Sequence, residues 1–351
     1  MARIAASFSL LVLLFAFLAT CLQGATIAAA TYPDLLDASI TQLQAGLERG
    51  DYTSVDLVKA YLARIEEVNI NGPGLRAIIE TSPVAIDQAQ KLDDERAQGN
   101  TRGSLRGIPI VVKDNVATDA KLSMNTTAGS YTLLNSIVPG DSPSIRALRK
   151  AGAVILGKAN MSVWAQARGL DNQTQGYSPR GGFGTSAYWP AGNPCSSSSG
   201  SAVAVAAGLA AASVGSQTSG SIICPASYNN IVGIKPTVGL ISRSGVIPIS
   251  FTQDSAGDNA TWTQPANVQK GIDYAAADHF HTKLDRPLQG LRLGYSGETF
   301  FANATTQGFD ESVLAAYWNS IQVLRDLGAE MVEVTLDCIG ANQTDPAQTP
   351  F

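Results

Sequence analysis

Histidine is nearly missing. The 351 residues hold two, His279 and His281, in a weakly patterned region far along the chain from any serine-rich segment. A Ser-His-Asp arrangement would need one of them to fold over a distant loop. No carboxylate or cysteine cluster joins them at ligand spacing, so no metal is called for, and a solvated His-Phe-His is the simpler reading. Charge is scarce too. Charged residues make up 15% of the chain, the formal net charge is −5, and no basic run provides a footprint for nucleic acid. Of the four cysteines, Cys21 falls in an N-terminal leader, which leaves Cys195, Cys224 and Cys338. That odd set argues against a disulfide scaffold. Cys195 and Cys224 are either a pair, if the segments carrying them meet, or two small buried hydrophobes.

What is present begins with that leader, residues 1–30. Arg3 is a short basic start, Leu10–Ala19 is an apolar run too short to span a bilayer comfortably, and Ala28-Ala29-Ala30 has the form of a cleavage site. An uncleaved anchor is the competing reading. No later stretch is long and apolar enough for a membrane helix, so the mature chain, 31–351, is expected to be secreted and free of the membrane. Six N-x-S/T sequons occur. They are Asn125, Asn160, Asn172, Asn259, Asn303 and Asn342. Asn125 and Asn160 sit in apparently packed segments and read as chance matches, whereas Asn172 and Asn303 lie in polar surroundings and are better glycosylation candidates.

Apolar residues make up 45% of the chain, enough for a sizeable core. Tyr32–Glu48 reads as a helix with Asp34 as cap and Gly50 as stop. Thr53-x-x-Asp56 resembles a capping box opening a second helix, whose apolar stripe is Leu57, Val58, Tyr61, Leu62 and Ile65. Ser82-Pro83 opens a third, running toward Gly99. Gly107–Val112 is a buried strand that delivers Lys113 at its carboxyl end. Asp141-Ser142-Pro143 opens another helix, closed by Gly152, and Ala153–Leu156 is the next strand. Ile231–Ile234, Val246–Ile249 and Gly290–Gly294 read as further strands and Asp310–Gly328 as a helix, while 257–285 has no clear pattern. Alternating strands and helices predict an α/β fold with a largely parallel sheet, in one domain, with functional groups at the carboxyl ends of its strands.

The chain is organised around Asn193–Pro225, NPCSSSSGSAVAVAAGLAAASVGSQTSGSIICP. It comprises a Ser/Gly loop (Cys195–Ser201), an apolar run of small residues (Ala202–Val214) and a second Ser/Gly loop (Gly215–Ser221). Serine runs are commonly linkers, but linkers are not followed at once by a dozen residues that need a core. If the apolar run is one helix, its two loops can fold beside each other and bring Ser197 and Ser221 to one pocket. Phosphate binding is a weaker reading, because no Gly-Lys-Ser/Thr follows the glycines. With histidine excluded, the available base is Lys113. To act near neutrality its amine must lose on the order of 4 kcal/mol of protonation free energy, which burial can supply. The competing reading is a lysine snorkelling at a strand end or paired with Asp114.

These residues resemble the amidase signature family. The resemblance rests on LRGIPIVVKDN (Leu105–Asn115), AGAVILGKANMS (Ala151–Ser162), the Asn193–Pro225 stretch, and IVGIKPTVGLISRSGVIP (Ile231–Pro248) followed by QDSAG. It implies an amidase-signature fold, a central, mostly parallel twisted sheet covered by helices on both faces. It also implies a cofactor-free amide hydrolase acting on a small-molecule amide by a Ser–cis-Ser–Lys triad. In this chain the nucleophile would be Ser221, the cis serine Ser197 and the base Lys113. The oxyanion would rest on backbone N–H groups of Thr218, Ser219, Gly220 and Ser221. Three departures stand out. Gln217-Thr218-Ser219-Gly220 replaces the frequent Asp-x-Gly-Gly, which puts the bracing of the nucleophile loop at issue. Ile223 stands where Arg is common, and Asp258–Trp262 replaces a helix start after QDSAG. Family members also extend beyond this length, so the C-terminal side is expected to be truncated. The alternatives are an inactive homologue and a transamidase-like subunit.

Overall fold

In a computed structural model, residues 32–100, 102–167, 174–189, 191–255, 288–295, 297 and 311–334 are described. The leader, His279 and His281, and the sequons at Asn172, Asn259, Asn303 and Asn342 lie outside them. The chain divides into two compact units, 1–268 and 269–351.

The first unit opens with two capped helices. Helix α1 (Ile40–Arg49) is capped by Ser39, whose side chain accepts from Gln42 N while Gln42 returns a bond to Ser39 N, and Gly50 closes it in the left-handed region. Asp34, expected as the cap, instead accepts from Leu36 N in a separate turn, so the helix begins later than the pattern suggests. Helix α2 (Ser54–Ile65) begins at the Thr53–Asp56 capping box and buries Leu57, Val58, Tyr61 and Ile65. Strand β1 (Ile78–Thr81) and helix α3 (Ala85–Ala97) follow. Ser82 does not cap α3. Its hydroxyl donates to Leu122 O, and the helix starts without a side-chain cap.

Strand β2 (Pro109–Lys113) is buried along its whole length, which its branched residues suit, because it has neighbours on both sides. Helix α4 (Pro143–Lys150), capped by Ser142, leads into β3 (Val154–Ala159), which runs on past the Leu156 at which the pattern ended it. A short hairpin joins β4 (Tyr177–Ser178) and β5 (Gly182–Phe183). Then come helix α5 (Ser199–Ala206), strand β6 (Ala212–Val214) and helix α6 (Ile223–Tyr228). The sheet order is β1-β3-β2-β6, with β2 parallel to both β3 and β6, and β1 antiparallel at the edge. A core of Leu, Ile, Val and Ala from α1, α2, α3 and α5 packs on these strands.

Two expectations fail here. The apolar run Ala202–Val214 is not one helix. It is the body of α5, a turn through left-handed Gly208, and β6. Ala and Val suit a buried helix and a buried strand equally, so periodicity cannot divide the run. Nor are Ile231–Ile234 and Val246–Ile249 strands. Among the described residues they have no ladder partner beyond an isolated bridge from Val246 to Val116, and Val232 and Ile234 are 87% and 75% exposed. Branched residues signal a strand only where a neighbour completes the pairing.

The second unit, considered by itself, pairs β7 (Arg292–Tyr295) in parallel with β8 (Glu330–Glu333) across helix α7 (Glu311–Asp326). No helix among the described residues is long and apolar enough to cross a membrane.

Candidate active site

Register places the first two groups. Val112 on β2 lies beside Val214 on β6, so Lys113, the last residue of β2, and Gly215-Ser216, which follow β6, come together at the carboxyl end of the sheet. The chain reaches that same edge before α5, runs back along the sheet as the helix, and returns through β6. The crossover therefore sets the loop before α5 beside the loop after β6. Gly200 permits the close approach, since a Cβ there would lie 2.4 Å from both Ala77 O and Asn160 O.

Lys113 is fully buried, and its Nζ donates to Ser197 Oγ at 2.8 Å, to Ser216 O at 3.0 Å and to Ser216 Oγ at 3.0 Å. Ser216 is itself held, with its Oγ bonded to both ends of the Asn115 carboxamide. Burial pulls the Lys113 pKa down from 10.5 to about 7, opposed by the charge of Asp254. Asp114 does not pair with it. As the next residue it faces elsewhere, accepting from Thr127 Oγ1 and from Gly129 N, with Arg180 at 3.6 Å. Burial raises the Asp114 pKa, with Lys158 the largest opposing charge, and lowers that of fully buried Lys158 to about 8. The snorkelling and salt-bridge readings of Lys113 therefore do not describe this site.

Ser221 is buried, and its Oγ lies 3.2 Å from Ser196 Oγ. Among the described residues it is Ser196, not Ser197, that stands within hydrogen-bond distance of Ser221 Oγ. Ser197 and Ser221 nevertheless line one cleft of about 270 Å³ of empty space, part of it open to solvent, whose other wall includes Val246, Ile247 and Ile249. The cis bond implied for Ser197 is not found. All described peptide bonds are trans, and the loop turns instead through left-handed Cys195 (φ 62°) and Ser196 (φ 45°).

The loop that carries Ser221 is braced despite its departures from the family pattern. Gln217 Oε1 accepts from Ile222 N at 2.7 Å and Ile223 N at 3.0 Å. Gln217 also exchanges two backbone bonds with Ser255, and Asp254 ties the Thr218 hydroxyl to the backbone of Ile249 and Ser250. The N–H groups of Thr218, Ser219, Gly220 and Ser221 donate to nothing among the described residues. Ser198 N bonds Ser221 O, and Cys195 and Cys224 form a disulfide between the two loops. Sequence reasoning missed Ser196, Ser216, Asn115 and Asp254. The first is one of four consecutive serines that pattern cannot rank, Ser216 and Asn115 meet only across the ends of β2 and β6, and Asp254 acts between loops 36 residues apart. Among the described residues no group of His, Cys, Asp or Glu is gathered as metal ligands.

The pattern that defines the family described as Amidase matches residues 56–340. The chain belongs to the amidase family. A relative from Arthroderma benhamiae, named "Putative amidase", is 40% identical over 339 residues, covering 86% of this chain and 56% of its own. A glutamyl-tRNA(Gln) amidotransferase component of Chloroflexus aurantiacus is 37% identical over 316 residues, covering 86% and 61%. Among solved structures, the native peptide amidase of Stenotrophomonas maltophilia is similar with a TM-score of 0.71 and 39% identity, covering 86% of this chain and 62% of that one. The α/β fold with its mainly parallel sheet is the fold of these amidase-family structures. The chain spans about three fifths of the length of each relative.

Proposed function

We propose that this protein hydrolyses linear amides through an acyl-enzyme on Ser221, with Ser197 as proton relay and Lys113 as base. The observation that carries the reading is the 2.8 Å contact between a fully buried lysine amine and Ser197 Oγ, in the cleft that Ser221 also lines. Neutral Lys113 takes the Ser197 proton, and Ser197 takes the Ser221 proton as Ser221 Oγ attacks the amide carbon. The oxyanion is held by N–H groups of Thr218, Ser219 and Gly220. The tetrahedral species collapses, the C–N bond breaks, and the leaving nitrogen takes the proton back through Ser197. Water then attacks the ester carbon and gives a proton to Lys113 by the same route. As the second tetrahedral species collapses, that proton returns through Ser197 to Ser221 Oγ, which releases the acid and restores free Ser221 and neutral Lys113.

Ser196 supports a second version of the relay, because its hydroxyl touches the nucleophile while Ser197 touches the base. The likeness to a peptide amidase makes peptide amides the first substrates to try. The likeness to an amidotransferase component supports a second function, delivery of ammonia to a partner. We also place the protein outside the cell. The leader supports this, and so does a disulfide, which persists in oxidising compartments.

The test is mass spectrometry after exposure to a fluorophosphonate, with hydrolysis of a peptide amide followed in parallel. Modification of Ser221 with ammonia released to water is expected. Labelling at another serine, or no labelling and no turnover, would sink the reading. Ammonia transfer only when a partner is added would select the second function.

A further inference from the structure

The loop that carries Ser196 and Ser197 is held in an unusual way. Cys195 and Ser196 are consecutive non-glycine residues in the left-handed region, which side-chain-bearing residues occupy only when their surroundings impose it. Three ties impose it. The Cys195–Cys224 disulfide joins the first of these residues to helix α6, three positions beyond Ser221. Asn229, fully buried, spans the same gap, with its Nδ2 donating to Pro194 O and Pro225 O and its Oδ1 accepting from Ala187 N. Ser198 N to Ser221 O is the third. Lys113 sits on β2, outside all three.

We propose that the Cys195–Cys224 bridge, with Asn229 beside it, is the positioning device that seats the Ser196–Ser197 loop on the Ser221 turn, so that opening the bridge disables acyl transfer at Ser221. The inference rests on the reading of Ser221 as nucleophile. Cys195 is buried and Cys224 is partly exposed, so attack comes at Cys224. A dithiol such as dithiothreitol supplies two electrons and two protons. Its first thiolate forms a mixed disulfide with Cys224 as Cys195 leaves. Its second thiolate closes the reagent's own ring, and two cysteine thiols result. The site then keeps Asn229 and the Ser198 bond but loses its covalent tie, and a displacement near 1 Å is enough to cost orders of magnitude in rate.

The experiment compares oxidised, dithiothreitol-reduced and re-oxidised full-length protein with a Cys195→Ala/Cys224→Ala variant, which keeps Cys338. Three quantities are read at a temperature where circular dichroism shows an intact fold. These are the fluorophosphonate labelling rate of Ser221 across pH, hydrogen exchange at residues 196–199 and 222–224, and the thiols mapped by mass spectrometry. We expect reduction to slow labelling by about tenfold or more and to raise exchange in both segments, with re-oxidation restoring both. The rate should fall across the whole pH range, because what changes is the placing of the serine loop on the Ser221 turn and not the position of Lys113 on β2. A merely structural bridge would slow labelling only in proportion to the unfolded fraction. The double variant should be slow and indifferent to reductant. If it does not fold, the reduction and re-oxidation series decides alone. An unchanged labelling rate after mapped reduction overturns the inference and leaves Ser221 as nucleophile. Failure of oxidised protein to label at Ser221 overturns the catalytic reading instead, and unchanged exchange on reduction then overturns the positioning claim separately. Free thiols at both positions in unreduced protein also overturn it.

Discussion

Lys113 owes its proposed role to what surrounds it rather than to what it is. It is fully buried, receives no carboxylate pairing from Asp114, and donates to three oxygens that tolerate a neutral amine. Its pKa, brought down to about 7, sets a sign for stability. Between about pH 7 and 10.5 the unfolded chain carries this proton and the folded chain does not, so folding gains as pH rises through that window. Below it both states are protonated and the folded protein bears a buried cation. Lys113→Met removes the effect. The stability of wild type relative to Lys113→Met should therefore rise from pH 6.5 to 10 by on the order of 4 kcal/mol, measured by urea unfolding. A flat difference would mean an ordinary lysine. The two serines divide differently. Ser197→Ala should lower kcat/KM on a peptide amide by about 10²- to 10⁴-fold, the range of a lost proton-transfer partner. Ser196→Ala should cost about tenfold or less, as for one neutral hydrogen bond. A larger loss at Ser196 would make it the relay.

At the level of elements, the α5–β6 crossover is what assembles the site, and its tightest point is Gly200. A methyl group there meets two backbone oxygens that cannot yield. Gly200→Ala should therefore cost about 1–3 kcal/mol, read as a lower urea midpoint. For comparison, Thr53→Ala at the α2 capping box should cost about 1 kcal/mol. What was legible beforehand follows the same division. The Thr53 cap, the Ser142-Pro143 start and the buried β2 ending in Lys113 were readable because each rests on local chemistry, a cap or a run of branched residues. The split of Ala202–Val214 into helix and strand was not, because it is decided by the open edge of β2 and by Gly208. Ile231–Ile234 erred in the opposite direction, a strand-like run with nothing to pair with. The same limit hid Ser216 and Asn115, which meet only across the sheet edge. The trans, left-handed turn at Cys195-Ser196 could not be read from a family pattern that implies a cis bond.

For the whole molecule, family membership is settled by the match over residues 56–340, while the chain spans about three fifths of its relatives' length. A secreted protein would meet the glycosylation machinery, and burial decides which sequons it can use. Asn160 is fully buried, its amide donating to Arg76 O and Gly182 O, and Asn125 is tied to Glu80. Glycan mapping of secreted protein should find both unmodified, and a glycan on Asn160 would contradict the packing of the residue that follows β3 against Arg76 and Gly182. The proposed chemistry turns on a lysine without its proton at physiological pH. Its most direct test is nuclear magnetic resonance of protein carrying ¹³Cε-labelled lysine, with Lys113 assigned by its loss in Lys113→Met. A titration centred near pH 7, well below every exposed lysine, is the predicted result. An ammonium at Lys113 that persists beyond pH 9 would contradict it.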